Sequence, residues 1–298
     1  MKSVKFPNSS QLFKFCQKVL HEKKGKKIND QDIGSILNFN PSDCSHWKKG
    51  EKNVKSVFAL DTLARELGVE VTLIHDIASG AIGLEEAYFE YTEASHFGSA
   101  YRQALILGEK VVNEQRQRVE RFVTSLHQRT EFRTPPLYLP EILRFFTFIT
   151  AQTTDMMDKL SRVLRTRPQQ YVIQYRKGEL KPQTRMSIAF DLARILLEGE
   201  RERFQSELGN LREELSTFER TVFVATLLVP KTMLSDELAK IDARKNVVAE
   251  LAVAFWVPKS LVSFQLQDSF REGKEELRRP QASAPRPVLS HSPATPAS

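Results

Sequence analysis

The chain has 298 residues, of which 41% are hydrophobic, and carries a formal charge of +7. That length suits about two domains, and the positive excess favours an anionic partner. Two cysteines exclude a disulfide framework and a Cys-rich zinc site, and no apolar run approaches the roughly 18 residues of a membrane span.

The charge is uneven. Up to Lys55 there are twelve lysines against five acids, which accounts for the whole excess. A basic N-terminal module on a neutral body is a layout that suits DNA binding, although a solvated lysine face has the same composition. The opening "MKSVKFPNSS" has no apolar stretch of signal-peptide type, so a cytoplasmic protein without a membrane partner is expected.

Residues 9–80 read as five short helices. Cys16, on the stripe Leu12-Cys16-Leu20, and Cys44, beside Trp47, are expected in the core. Within "INDQDIGSILNFNPSDCSHWKKGEKN", Asn29 can cap a helix with Asp32 at its third position. A turn follows at Asn38, a residue type that tolerates a left-handed backbone. Asn40-Pro41 then reads as a cap followed by proline at the first helical position, and Gly50 ends the helix. Two short helices with Ile33 and Ile36 facing Cys44 and Trp47 make a helix-turn-helix.

These residues resemble the phage-repressor-type (XRE) helix-turn-helix family. Ile33-Gly34, Leu37-Asn38-Phe39-Asn40, Cys44-Ser45, Trp47 and Gly50 fall on its usual line without a gap, and "FALDTLARELGVEVTLI" fits its last two helices. The resemblance implies binding of operator-type duplex DNA, as a homodimer. Pro41, Ser42, Ser45 and His46 would face the bases, while Lys48, Lys49, Lys52 and Asn53 would meet phosphates. None of the base-facing residues is an Arg or Gln, the usual bidentate readers, and Asp30 and Asp43 add negative charge. A module kept for folding or dimerisation is the alternative.

Residues 81–134 read as a helical connector. Leu105, Val112, Val119 and Leu126 recur every seven residues, but Gly108 and Gln115 are poor companions for a coiled coil. A helix lying on its own domain is expected instead. "RTPPLYLP" marks a boundary, and residues 135–270 form the second domain. There "EILRFFTFI" reads as a helix, "LSRVLRT" and "QYVIQYRKG" as a β-hairpin around Arg167-Pro168, and the rest to Asp268 as helices punctuated by Pro230 and Pro258. Residues 271–298, rich in Pro, Ala and Ser, are expected to be disordered. The fold class is therefore mainly α with a small hairpin or sheet, α+β.

In "RMSIAFDLARILL" two apolar stripes predict a buried helix. A strand-like "YVIQY" before it and "FERTVFVATLLVP" after it give an order that resembles the ImmA/IrrE zinc peptidases. Arg185, Ser187, Ala189, Leu192 and Ile195 to Leu197 match the family's H-E-x-x-H helix. Glu219, Phe223, Ala225, Leu227, Leu228 and Pro230 match the next helix, and "VVAELAVAFWVPKSLVSFQL" matches the closing pair. The family's two zinc histidines fall on Phe190 and Arg194, and its general base falls on Asp191. Only its third ligand has an equivalent, Glu219.

No histidine lies between His127 and His291, so no shifted ligand restores three donors. An inactive peptidase-like domain is expected, without metal, cofactor or catalytic residues. It would serve as a sensor, dimerisation or docking module for another regulator, and Arg194 should pair with Asp191 or Glu219 where the metal would sit. The whole then reads as a transcriptional regulator. The alternative is an interaction protein whose helix-turn-helix no longer binds DNA.

Overall fold

The computed structural model describes residues 4–278 except 131, 156–158, 179, 210, 211 and 243. No single helix among them is long and apolar enough to cross a membrane. The chain opens with five helices, α1 (Pro7–Lys24), α2 (Asp30–Gly34), α3 (Pro41–Lys48), α4 (Val57–Leu67) and α5 (Val71–Ser79). They enclose a first core that includes Leu12, Phe13, Cys16, Ile33, Cys44, Trp47 and Leu63.

The local reasons follow the sequence. The Asp32 carboxylate accepts from the Asn29 N–H at 2.8 Å, and Asn38 takes a left-handed conformation (φ 55°) that ends the turn after α2. The Asn40 side chain accepts from the Asp43 N–H at 2.8 Å to cap α3. Gly34 is needed because a Cβ there would sit 2.8 Å from Cys44 Sγ. The indole of Trp47 stands edge-on to Phe13, centroids 5.1 Å apart, and its N–H donates to the Ser9 carbonyl at 2.8 Å. This satisfies the one polar atom of the largest core side chain.

Helix α6 (Leu84–Leu105) belongs to both halves of the molecule. Ala87 and Tyr91 pack in the first core, and Phe97, Ala100 and Ala104 pack in the second. Helix α7 (Glu109–Arg129) buries Val112, Val119, Phe122, Val123 and Leu126 in the second core. The heptad read in the sequence is therefore split. Leu105 ends α6, the chain turns at Gly108 (φ 97°), and the remaining three residues face their own domain. The segment 81–134 thus contributes to both cores, its first turns to the first and the remainder to the second.

The chain continues with α8 (Leu139–Arg144), β1 (Ile149–Thr154), β2 (Ser161–Arg167) and β3 (Gln170–Arg176). The expected hairpin is present: β2 and β3 pair antiparallel across Pro168-Gln169. The expected helix over "EILRFFTFI" is corrected, because it stops at Arg144 and the chain enters β1, which pairs parallel to β3 with Ile149 opposite Tyr171. Phe146, Phe148 and Ile149 are buried on entry to the strand, and a short apolar run does not by itself tell strand from helix.

The sheet order is β1-β3-β2. Against it lies α9 (Pro182–Arg194), followed by a wide π turn over Ile195–Gly199. Then come the single-turn α10 (Gln205–Leu208), α11 (Ser216–Leu228), α12 (Lys231–Leu238), α13 (Val247–Phe255) and α14 (Lys259–Arg278). The expected disorder from 271 is corrected in part, since α14 runs to Arg278. Residues 279–298 lie outside the described residues.

Replacing Gly34 with Ala should destabilise the protein by about 1–3 kcal/mol, the usual cost of overpacking. The same change in a Cys44→Ala background should cost less, because the clashing Sγ is gone. Chemical denaturation of the four proteins of this cycle checks the coupling; equal costs in both backgrounds would contradict the contact.

Candidate functional sites

The first site is the outer face of α3. Cys44 and Trp47 are buried, so the opposite side presents Ser42, Ser45, His46 and Lys49, while Lys48, one turn after Cys44, lies beside α2. Ser42, His46 and Lys49 are exposed, as is Asn53 just beyond the helix. The structure therefore brings the seven residues singled out by sequence onto and just after one helix. It also shows a competition that spacing did not reveal. Lys48 Nζ lies 2.8 Å from an Asp30 carboxylate oxygen, and Lys52 Nζ lies 2.8 Å from Asp43. Lys52 also sits 4.1 Å over the Phe39 ring. His46 Nδ1 lies 2.5 Å from Glu51. Lys49 has no ion pair among the described residues. The two acids that looked adverse in the sequence are thus neutralising partners of two of the lysines, through half-exposed pairs that are individually weak.

The second site is the buried face of α9 and α11. Asp191 accepts from Ser161 Oγ at 2.6 Å and from Arg194 at 2.7 Å. The Ser161 hydroxyl lies 2.5 Å from that of Ser187. Burial raises the Asp191 pKa, opposed by the Ser161 hydrogen bond and the Arg194 charge. Arg194 thus takes Asp191 of its two expected partners. It is not buried, however: half of its side chain reaches solvent, where a guanidinium keeps its hydration. Phe190 stacks on Phe97 of α6, centroids 6.1 Å apart.

Glu219 is fully buried on α11. One of its oxygens accepts from the Arg212 N–H at 3.3 Å, and the other, Oε2, has no partner among the described residues. Burial pushes its carboxyl up to about 7. Phe190, Asp191, Arg194 and Glu219 therefore lie on adjacent helices but divide among three separate sets of partners. Among the described residues, no three His, Cys, Asp or Glu side chains are grouped to hold a metal ion.

Sequence reasoning matched Arg185 by position but missed its role. Its guanidinium donates to the Leu137 carbonyl at 2.6 Å, to that of Phe255 at 2.9 Å, and to that of Trp256. It thereby closes the C-terminal end of α13, where Trp256 turns left-handed (φ 54°). Burial lowers its pKa to about 10. The signal was an arginine inside an otherwise apolar helix, which had to find acceptors.

Glu219 makes stability depend on pH in a defined direction. Its ordinary value of 4.5 is raised to about 7 in the folded chain, so between these values the unfolded chain ionises first. Stability should fall as pH rises through that window and level off above it. The contribution is on the order of 3 kcal/mol for a shift of this size. Glu93, pushed up to about 7 by burial, acts in the same window. Denaturation across the window should show a shallower slope for Glu219→Gln than for the native chain; an unchanged slope would contradict the assignment.

Comparison with known proteins adds one relationship. Residues 148–267, from the approach to β1 into α14, match the Peptidase_M78 model, described as the IrrE N-terminal-like domain. The match spans about two-fifths of the chain and includes α9 and α11. No curated protein and no solved structure matches the chain.

Proposed function

We propose that the chain is a cytoplasmic DNA-binding transcriptional regulator in which the IrrE-like domain is catalytically inactive and serves as a sensor or docking module. The observation that carries the DNA reading is the outer face of α3. A capped helix, held by Trp47 and Cys44 against α1 and α2, shows Ser42, Ser45, His46 and Lys49 to solvent, with Asn53 beside it. That is the surface through which an XRE-like helix-turn-helix lies in a major groove. Such modules bind as dimers on two-fold sites, and a homodimer is part of this reading.

Inactivity follows from the donors present. A zinc site needs three ligands and an open position. Here an aromatic ring and a cation stand at two of the aligned positions, and Asp191 already holds Arg194 and Ser161. Of these, Glu219 keeps an oxygen unpartnered among the described residues, but burial raises its pKa to about 7, which leaves it only partly ionised near neutral pH. The residues do not fit a divalent cation. A peptidase fold without its metal retains a surface on which another regulator can dock.

A second reading has its own observation. The pairing of Lys48 with Asp30 and of Lys52 with Asp43 leaves α3 less positive than its sequence suggests, which favours an interaction protein that no longer binds DNA.

The salt dependence of DNA affinity separates the two. Each phosphate contact contributes about 0.9 to the slope of log K against log salt. Lys49→Ala should lower that slope by about that amount on every sequence, whereas Asp43→Asn, which frees Lys52, should strengthen binding without changing site preference. Ser45→Ala or His46→Ala should instead cost about 1–3 kcal/mol of discrimination where the side chain touches a base. Absence of affinity at low salt in both the native chain and Asp43→Asn would favour the interaction reading.

A further inference from the structure

The junction where α11 ends and α12 begins, set against the last turns of α7, borders an open cleft of about 580 Å³. Its lining carries polar groups that the fold leaves unused. His127 is 8% exposed, and its Nε2 lies 3.0 Å from the Leu227 carbonyl. A carbonyl only accepts, so Nε2 carries the hydrogen and Nδ1 keeps a lone pair. Nδ1 has no partner among the described residues. Burial holds the His127 pKa below its ordinary value, against the pull of the Leu227 carbonyl, so the ring is a neutral acceptor near neutral pH.

Thr226, 7% exposed, lines the same cleft with a hydroxyl that has no partner among the described residues. Helix α12 begins there after Pro230 without a side-chain cap. The N–H groups of Thr232 and Met233 likewise have no partner among the described residues, and they are the positive end of that helix. Lys231 at the same place is balanced by Glu120 at 2.6 Å and Asp268 at 3.1 Å. The exposed Arg133 lines the cleft as well and adds a further positive charge.

Donors at one end and a fixed acceptor at the other define what fits. We infer that this cleft binds a small oxyanion that carries its own hydrogen-bond donor, with the anionic oxygens on the Thr232 and Met233 N–H groups, the donor on His127 Nδ1, and the Thr226 hydroxyl between them. A phosphate monoester whose organic part carries a hydroxyl has this chemistry, since the phosphate itself is mostly a dianion without an O–H near neutral pH. The inference does not depend on whether the chain binds DNA.

Two anions of similar size distinguish this site from a bare helix terminus. Near neutral pH inorganic phosphate keeps an O–H, whereas sulfate has none. A site built to receive a donor disfavours the analogue that lacks it, because the bound anion displaces water from an acceptor it cannot pair. Titrations of the nitrogen-labelled full chain, read by NMR at the Thr232 and Met233 amides and at the His127 ring, should show phosphate binding at least about tenfold tighter than sulfate, with the Nδ1 resonance moving only for phosphate. His127→Phe, which keeps a ring against Phe132, should abolish that preference while leaving the amide response. Thr226→Val, a second and milder change, should weaken phosphate several-fold. Equal affinity for the two anions, no response to either, or a phosphate preference that survives in folded His127→Phe would overturn the inference.

Discussion

The second half of the molecule is organised by the burial of α9. Ten of its thirteen residues, from Gln183 to Ala193, are buried, and five of those are polar or charged; four of the five, Gln183, Arg185, Ser187 and Asp191, bond to other elements. Gln183 donates to Glu90 of α6. Arg185 reaches carbonyls before α8 and at the end of α13. Ser187 meets Ser161 of β2, and Asp191 takes Ser161 together with Arg194. Together these bonds fix α6, the approach to α8, the end of α13 and β2 against the same helix, so the polar residues of α9 set the arrangement that its apolar residues then fill. The same requirement explains why Asp191 is engaged with Ser161 and Arg194 rather than open.

The two cores are joined through one continuous helix. α6 starts among the side chains of the first core and ends among those of the second. Ion pairs reinforce the joint: Lys259 of α14 with Asp76 of α5 at 2.7 Å, and Lys181, just before α9, with Glu86 at 3.0 Å. Burial raises the pKa of Glu90, on the same helix, against hydrogen bonds from Ser260 and Gln183. The segment expected as a connector is therefore the part of the chain in which both halves share contacts. The poor heptad companions Gly108 and Gln115 had already favoured a helix laid on its own domain over a coiled coil, and α7 lies so; that α6 would serve both cores depends on distant partners and was not legible.

What could be read in advance was local. Caps, turn residues and the spacing from Ile33 to Gly50 placed α2 and α3, and alternation placed β2 and β3, because each depends on neighbours a few residues away. What could not be read depends on distant partners. β1 is a strand because β3 offers it a parallel edge, with Thr150 opposite Val172, and nothing within "RFFTFI" encodes that pairing. Asp30 and Asp43 looked like obstacles to phosphate binding until the fold set them beside Lys48 and Lys52. The match of Phe190, Arg194 and Glu219 to ligand positions came from a pattern along the chain. That Phe190 would stack on Phe97, and that Arg194 would be half in solvent, required the positions of α6 and the surface.

The central proposal is that the residues of the α9–α11 face do not fit a divalent cation. It is tested most directly by the zinc content of the purified full chain after equilibration with zinc and dialysis, measured by elemental mass spectrometry beside Glu219→Gln. The account predicts no retained stoichiometric zinc in either protein. One zinc per chain in the native protein, lost in Glu219→Gln, would contradict it.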